Sequence, residues 1–126
     1  MKPGRRPIFA LLLLAAICQG PIAARAAESP FEGQLLRLSE ILGSLHFLRN
    51  LCGENGQDWR VQMEALLEPE NPDEERRARF VASFNRGYSG FANAYETCTA
   101  SALEAINRYM REGAALTRDT ASRFGN

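Results

Sequence analysis

Apolar residues along this chain return every three or four positions, in four runs separated by glycine- or proline-containing breaks. In the first run Phe31, Leu35, Leu38, Leu42, Leu45 and Cys52 mark one helical face, and Leu36, Ile41, Leu48 and Leu51 widen it. A stripe that wide predicts contact with more than one neighbour. Ser29-Pro30-Phe31-Glu32 reads as the capping box that starts this helix, and Gly53 as its stop. A short second helix is predicted from Asp58, as N-cap, to about Glu68. Trp59, Met63, Leu66 and Leu67 lie on its inner face, and Pro69 ends it. The third start signal is the strongest, with Asn71 as cap, Pro72 at the first position, and the acids Asp73, Glu74 and Glu75 at the positive end of the helix dipole. This helix is expected to run to about Thr97. Thr99, or alternatively a box from Ser101 to Glu104, caps a fourth helix whose apolar face carries Leu103, Ile106, Met110, Gly113, Ala114 and Ala121. No β-type alternation, repeat or low-complexity tract interrupts the pattern.

The third segment carries a row of rings. At about 100° per residue, Phe80, Phe84, Tyr88, Phe91, Tyr95 and Cys98 fall within an arc of roughly 80°. Gly87 and Ala94 stand among them, so another helix can approach closely. These seven ring and small positions (Phe80, Phe84, Gly87, Tyr88, Phe91, Ala94 and Tyr95) are expected to form core or a dimer seam. Gly87 and Gly90 each cost about 1 kcal/mol relative to alanine inside a helix, and the pattern supplies no reason for them beyond packing or contact. Beside the rings, Arg79, Arg86 and Asn93 recur every seven residues, with Ser83 and Gly90 between them. Guanidinium, hydroxyl, amide and bare backbone on one flank suit a glycan or a carboxylate ligand. The competing reading is a solvated helix face on which Glu75 pairs with Arg79. Arg79, Ser83, Arg86 and Asn93 are therefore the candidate ligand-binding residues.

Composition and charge place the chain. Lys2, Arg5 and Arg6 precede a ten-residue apolar run, Ile8 to Ile17, and Ala24-Arg25-Ala26 offers a cleavage site. Residues 1–26 read as a secretory signal and residues 27–126 as a single helical domain. The apolar run falls short of the ~20 residues that a membrane span needs, so no stable span is expected after cleavage. Cys18 is a poor lipidation site, because the bulky Ile17 precedes it. Beyond residue 26, eleven arginines face fifteen carboxylates, a formal charge of −4 with no lysine. That balance disfavours general nucleic-acid binding, which relies on neutralising phosphates. Cys52 and Cys98 remain, and in an exported chain such a pair reads as a disulfide. The expected fold is a small all-α bundle of two long helical hairpins with one short extra helix and one disulfide.

Candidate chemistry is thin. His46 is the single histidine, sits at the edge of the first stripe, and gives no metal or haem signature. No cofactor or metal is expected. The cysteines are committed to each other, and the acids near Glu74 are explained by the helix start. An enzyme is not expected, although a wall hydrolase using one general-acid glutamate is chemically possible. A domain of about 100 residues with a wide first stripe and a ring-rich third helix fits a homodimer.

Leu51-Cys52-Gly53, Trp59, Glu75-Arg76-Arg77, the run Ala82 to Tyr88, Gly90-Phe91, Tyr95 and Thr97-Cys98 together resemble a small exported family of alphaproteobacteria, chiefly rhizobial, catalogued as a domain of unknown function. Its most specific phrase here is SFNRGYSGF, and the tail from Ile106 to Asn126 also fits. The resemblance implies a periplasmic, helical, dimeric protein that supports cell-wall integrity and polar growth, with peptidoglycan as ligand. It supplies no catalytic or binding residues. The expectation is a non-enzymatic periplasmic protein that associates with peptidoglycan or its synthesis machinery. The alternative is an adaptor that docks a partner helix in an envelope complex.

Overall fold

The computed structural model describes residues 30–124, which form four helices: α1 Glu32–Leu51, α2 Asp58–Leu67, α3 Glu74–Ala92 and α4 Ala100–Phe124. The signal reading of residues 1–26, the Ser29 cap and Gly125-Asn126 lie outside the described residues. Within them the all-α expectation holds, and Cys52 and Cys98 are joined with their Cα atoms 4.9 Å apart. Closing that loop stabilises the fold by about 4 kcal/mol on the chain-entropy argument.

α1 is the hub. Gly33 is the only exposed residue along its length, as a stripe running almost round the helix requires. It packs most extensively on α3, then on α4, then on α2. α3 and α4 are consecutive, yet each packs on α1 rather than on the other. The N-terminal half of α1 forms one cluster, in which Leu35 and Leu38 meet Met63 and Leu67 of α2 and Phe80 and Phe84 of α3. The C-terminal half forms a second, in which Ile41, Leu45 and Leu48 meet Ala102, Ala105 and Ile106 of α4.

The α1–α3 contact is made by two glycines. A Cβ on Gly43 would lie 1.9 Å from the Phe84 carbonyl oxygen, and one on Gly87 would lie 2.0 Å from the Glu40 carbonyl oxygen. Neither obstacle is a movable side chain. Backbone meets backbone at both points, so the helices come closer than any pair with side chains between them. Ser39 and Ser44 complete the small-residue face of α1, and their hydroxyls donate to the Leu35 and Glu40 carbonyls. This answers the question that Gly87 posed. Gly90 is different, since a Cβ there would meet nothing within 4 Å.

Four boundaries depart from the sequence reading. α1 starts at Glu32 with Phe31 at its N-cap and no side-chain cap bond, so Pro30 precedes the helix instead of opening it. Asp73, not Asn71, caps α3, its carboxylate accepting from the Arg76 amide at 2.7 Å. Asn71 instead takes a left-handed conformation (φ 39°) and donates its amide to the Leu67 carbonyl, which closes α2; asparagine tolerates that region better than most residues. Asp58 is the first residue of α2 rather than its cap. α3 stops at Ala92, five residues short of Thr97. The amides of Ala94 and Tyr95 both turn back to the Phe91 carbonyl. The loop over residues 93–99 then brings Cys98 to Cys52 and sets Thr99 as the α4 cap, accepting from the Ala102 amide at 3.1 Å. Ala94, Tyr95 and Cys98 are thus off the helix, and the six-member arc reduces to Phe80, Phe84, Tyr88 and Phe91. At the end of α1, Gly53 takes φ 102°, as expected of a helix stop.

The two kinds of glycine should separate in a stability assay. Gly43→Ala and Gly87→Ala are each expected to destabilise by about 3 kcal/mol through overpacking against backbone. Gly90→Ala is expected to stabilise by about 0.5–1 kcal/mol, because it removes a helix-interior glycine from open space. Urea denaturation of the three variants checks this.

Candidate functional site

Glu32, the first residue of α1 and the only buried acid among the described residues, anchors one end of the α1–α3 seam. The Arg76 guanidinium grips it, with Nε within 3.0 Å and Nη2 2.6 Å from Oε2. Arg76 also donates to Glu70 Oε2 at 2.8 Å and lies 5.2 Å from the Phe80 ring centroid. Hydrogen bonds to Glu32 and Glu70 hold this guanidinium still more firmly in its charged form. Arg76 thus ties the start of α1 to the α2–α3 linker and the first turn of α3.

The candidate ligand-binding flank continues along the same seam. Arg79 approaches Glu32 at 3.7 Å and Glu75 at 3.6 Å. Arg86 donates to the Ser83 hydroxyl at 3.2 Å and lies 3.7 Å from Glu40. Ser83 itself is buried. Asn93 is exposed at the C-cap of α3. The structure brings Arg79, Ser83 and Arg86 together along α1, where both guanidiniums stand beside carboxylates of that helix. Open to solvent are the Arg86 head, part of the Arg79 side chain, the bare backbone at Gly90 and the exposed Asn93.

Among the ring positions, Phe80 and Phe84 are buried, Phe91 and Tyr95 half-buried, and Tyr88 exposed, as is Ala94. Phe91 stacks on Tyr95 with centroids 6.1 Å apart and meets Tyr109 edge-on at 5.4 Å. The Tyr95 hydroxyl and Ser101 Oγ are 2.7 Å apart. His46 is buried between Phe84 and Tyr88 at 5.8 and 5.7 Å. Burial pushes its pKa down, and nearby Arg60 adds to the shift, so the imidazole is neutral at pH 7.

A separate hollow lies away from this seam. α2 and α4 flank α1 without substantial contact with each other, and the gap between them is a cleft of about 460 Å³. Leu38, Ile41, Leu42 and Leu45 of α1 form its floor. Trp59, Gln62, Ala65 and Leu66 of α2 form one wall, and Tyr109, Met110, Gly113, Ala114 and Thr117 of α4 the other. No charged side chain among the described residues lines it. Three exposed large hydrophobics, Val61, Leu103 and Met110, lie on these same two helices. The Trp59 Nε1 is buried without an acceptor among the described residues. On the far side of α4, Arg37 forks onto Glu112 at 2.7 and 3.0 Å and lies over the Tyr109 ring at 5.4 Å. The hydrogen bond from Arg37 holds the Glu112 carboxyl below its ordinary range. Gln34 donates to Asp119 at 2.8 Å, so α4 is pinned to α1 on this flank and open on the other.

Sequence reasoning marked Leu42, Leu66, Met110 and Ala114 as apolar helix-face positions but did not show that they line an open cleft. The missed signal was length. A ten-residue α2 cannot cover the side of a 20-residue α1 beside a 25-residue α4. Among the described residues no group of three potential metal ligands occurs, and no helix is long and apolar enough to cross a membrane.

A family model matches residues 30–124, essentially the whole described bundle. The chain belongs to the DUF2385 family, proteins of unknown function. No curated protein and no solved structure matches it. DUF2385 membership thus covers all four helices, the seam and the cleft together, and carries no assigned activity.

The buried imidazole has a pH signature. Its folded pKa lies below the ordinary 6.5, so above that value both the folded and unfolded forms are neutral and the contact is fully retained. Below it the unfolded chain takes up the proton first, and stability is lost as pH falls through the folded pKa. As His46 is the sole histidine, the expected decline in Tm from pH 7 to about 5 should flatten in His46→Gln. An unchanged slope in that variant would remove His46 as its cause.

Proposed function

We propose that this chain is a non-enzymatic adaptor of the cell envelope that works by docking another protein along its α2–α4 cleft, in support of the machinery that builds peptidoglycan. The observation that carries this reading is the cleft itself. It is an uncharged hollow with a leucine-rich floor, and its wall residue Met110 is 43% exposed. Contiguous apolar surface of this kind marks interaction sites more often than it marks incidental exposure. The export signal read from residues 1–26 supports a periplasmic location.

The rest of the molecule favours binding over chemistry. Glu32, the single buried acid among the described residues, is engaged by Arg76 and Arg79. The sulfurs of Cys52 and Cys98 are joined to each other. His46 lies between two rings, its Nδ1 3.5 Å from the Asn50 amide nitrogen. A wall hydrolase would need a free acid in a groove, and the α2–α4 cleft is lined by none.

A second reading, direct association with peptidoglycan, is favoured by the Arg86 side chain, 65% exposed, next to the open backbone at Gly90. Guanidinium and bare backbone would suit the carboxylates and amides of stem peptides. The mild negative charge of residues 27–126 gives no bulk attraction to that anionic polymer, so the contact would have to be local.

Photo-cross-linking in cells separates the two. A photoreactive residue at Met110 is expected to yield discrete protein adducts, whereas one at Asn93 yields none. Loss of adducts at 110, together with co-sedimentation of the purified protein with isolated sacculi that Arg86→Ala abolishes, would overturn the adaptor reading in favour of the second.

A further inference from the structure

The cleft is neutral inside but not along its edges. On α4, Ala114 lines the wall, and its neighbours three positions before and four after, Arg111 and Arg118, are exposed. On α2, Gln62 and Ala65 line the opposite wall. Asp58, four before Gln62, and Glu68, three after Ala65, are exposed on that edge. None of these four groups takes part in an ion pair among the described residues, a state they share with Arg60 and Arg108 on the same two helices, whereas Arg37, Arg49, Arg76, Arg77 and Arg86 are paired. Acidic and basic residues are therefore sorted onto opposite rims of one apolar trough. A helix's own exposed face, balanced by pairing within itself, does not require that sorting.

Resting on the adaptor reading, we infer that the occupant of the cleft is an amphipathic helix of another protein, with an apolar stripe bordered by acidic residues on one edge and basic residues on the other. The apolar stripe fills the trough over Leu38, Leu42 and Leu45. The acidic edge lies along Arg111 and Arg118, and the basic edge along Asp58 and Glu68. The lined part of α4, Tyr109 to Thr117, spans about 12 Å, a little over two helical turns. That is the reach of apolar anchors at positions i, i+3, i+4 and i+7 in helix-in-groove recognition. Trp59 lines the wall with a buried, unpaired Nε1, the residue type on which helix-docking interfaces concentrate their energy. Charges at the rim contribute choice of partner more than strength. A helix with like charges on both edges meets one favourable and one unfavourable rim, whichever way it runs.

Trp59 is the only tryptophan in the chain, so its fluorescence reports on this cleft alone. The probes are three Trp-free helical peptides that share one leucine stripe and carry Glu on one edge and Lys on the other, Glu on both, or Lys on both. At low salt the mixed-edge peptide is expected to bind about tenfold more tightly than either like-edged one, because single rim pairs are weak and several must change together. High salt should erase the difference. Arg111→Glu/Arg118→Glu makes both rims acidic and should shift preference to the Lys-edged peptide without changing Tm, while Met110→Asp should abolish binding of all three. Equal affinities in the wild type would overturn the charge-edged partner and leave docking at the cleft intact. No peptide binding alongside protein adducts at position 110 would assign the cleft to a partner of other chemistry. No binding and no adducts would sink the adaptor reading as well. A concentration-dependent increase in mass that Met110→Asp removes would give the cleft to a second copy of the chain and contradict the inference.

Discussion

Gly43 rests against the Phe84 carbonyl and Gly87 against the Glu40 carbonyl, and the other contacts of α1 are arranged around that double approach. With no Cβ at either point, α1 and α3 can share a seam along most of their length. Phe80 and Phe84 then reach the N-terminal half of the core instead of standing off it. The seam is secured at both ends by different means. At the start of α1 a guanidinium forks onto the buried Glu32, an arrangement whose removal leaves a buried carboxylate facing only the longer 3.7 Å contact from Arg79. At the far end the Cys52–Cys98 bond fixes where the chain returns from α3 to α4.

Because α3 takes the close side of α1, the remaining helices share what is left. α4 holds one flank through Arg37–Glu112 and Gln34–Asp119, and α2 holds another through Met63 and Leu67. Two helices of unequal length cannot close over the same hub, so a trough with a leucine-rich floor stays open between them. The candidate binding surface is in this sense a by-product of the tight seam. The arginine flank belongs to the seam itself, since Arg79 and Arg86 stand beside Glu32 and Glu40.

Much of this was legible in the sequence, and the reasons for the rest are physical. Periodicity and caps located four helices, and the wide apolar stripe of α1 identified a helix with several neighbours. Gly53 marked the helix stop, and the cysteine pair gave the bridge. Local signals misled at Asn71 and at Thr97. A left-handed asparagine satisfies the same preference as an N-cap, and the end of α3 is set by backbone turns at Phe91 and the path to Cys52, which no local pattern encodes. Gly87 was visible as a cost without a cause, because its cause is a carbonyl 47 positions away in the chain. The cleft was hidden for a related reason. A sequence marks a residue as apolar without saying whether anything covers it.

Native-state hydrogen exchange tests most directly whether the glycine seam is the structural centre. The slowest amides should lie in the middle of α1 and α3, over residues 40–48 and 80–88, and exchange only on global unfolding. Amides in the last turns of α4 should open at lower free energy. Strongest protection in α4, with α3 exchanging early by local opening, would contradict the account.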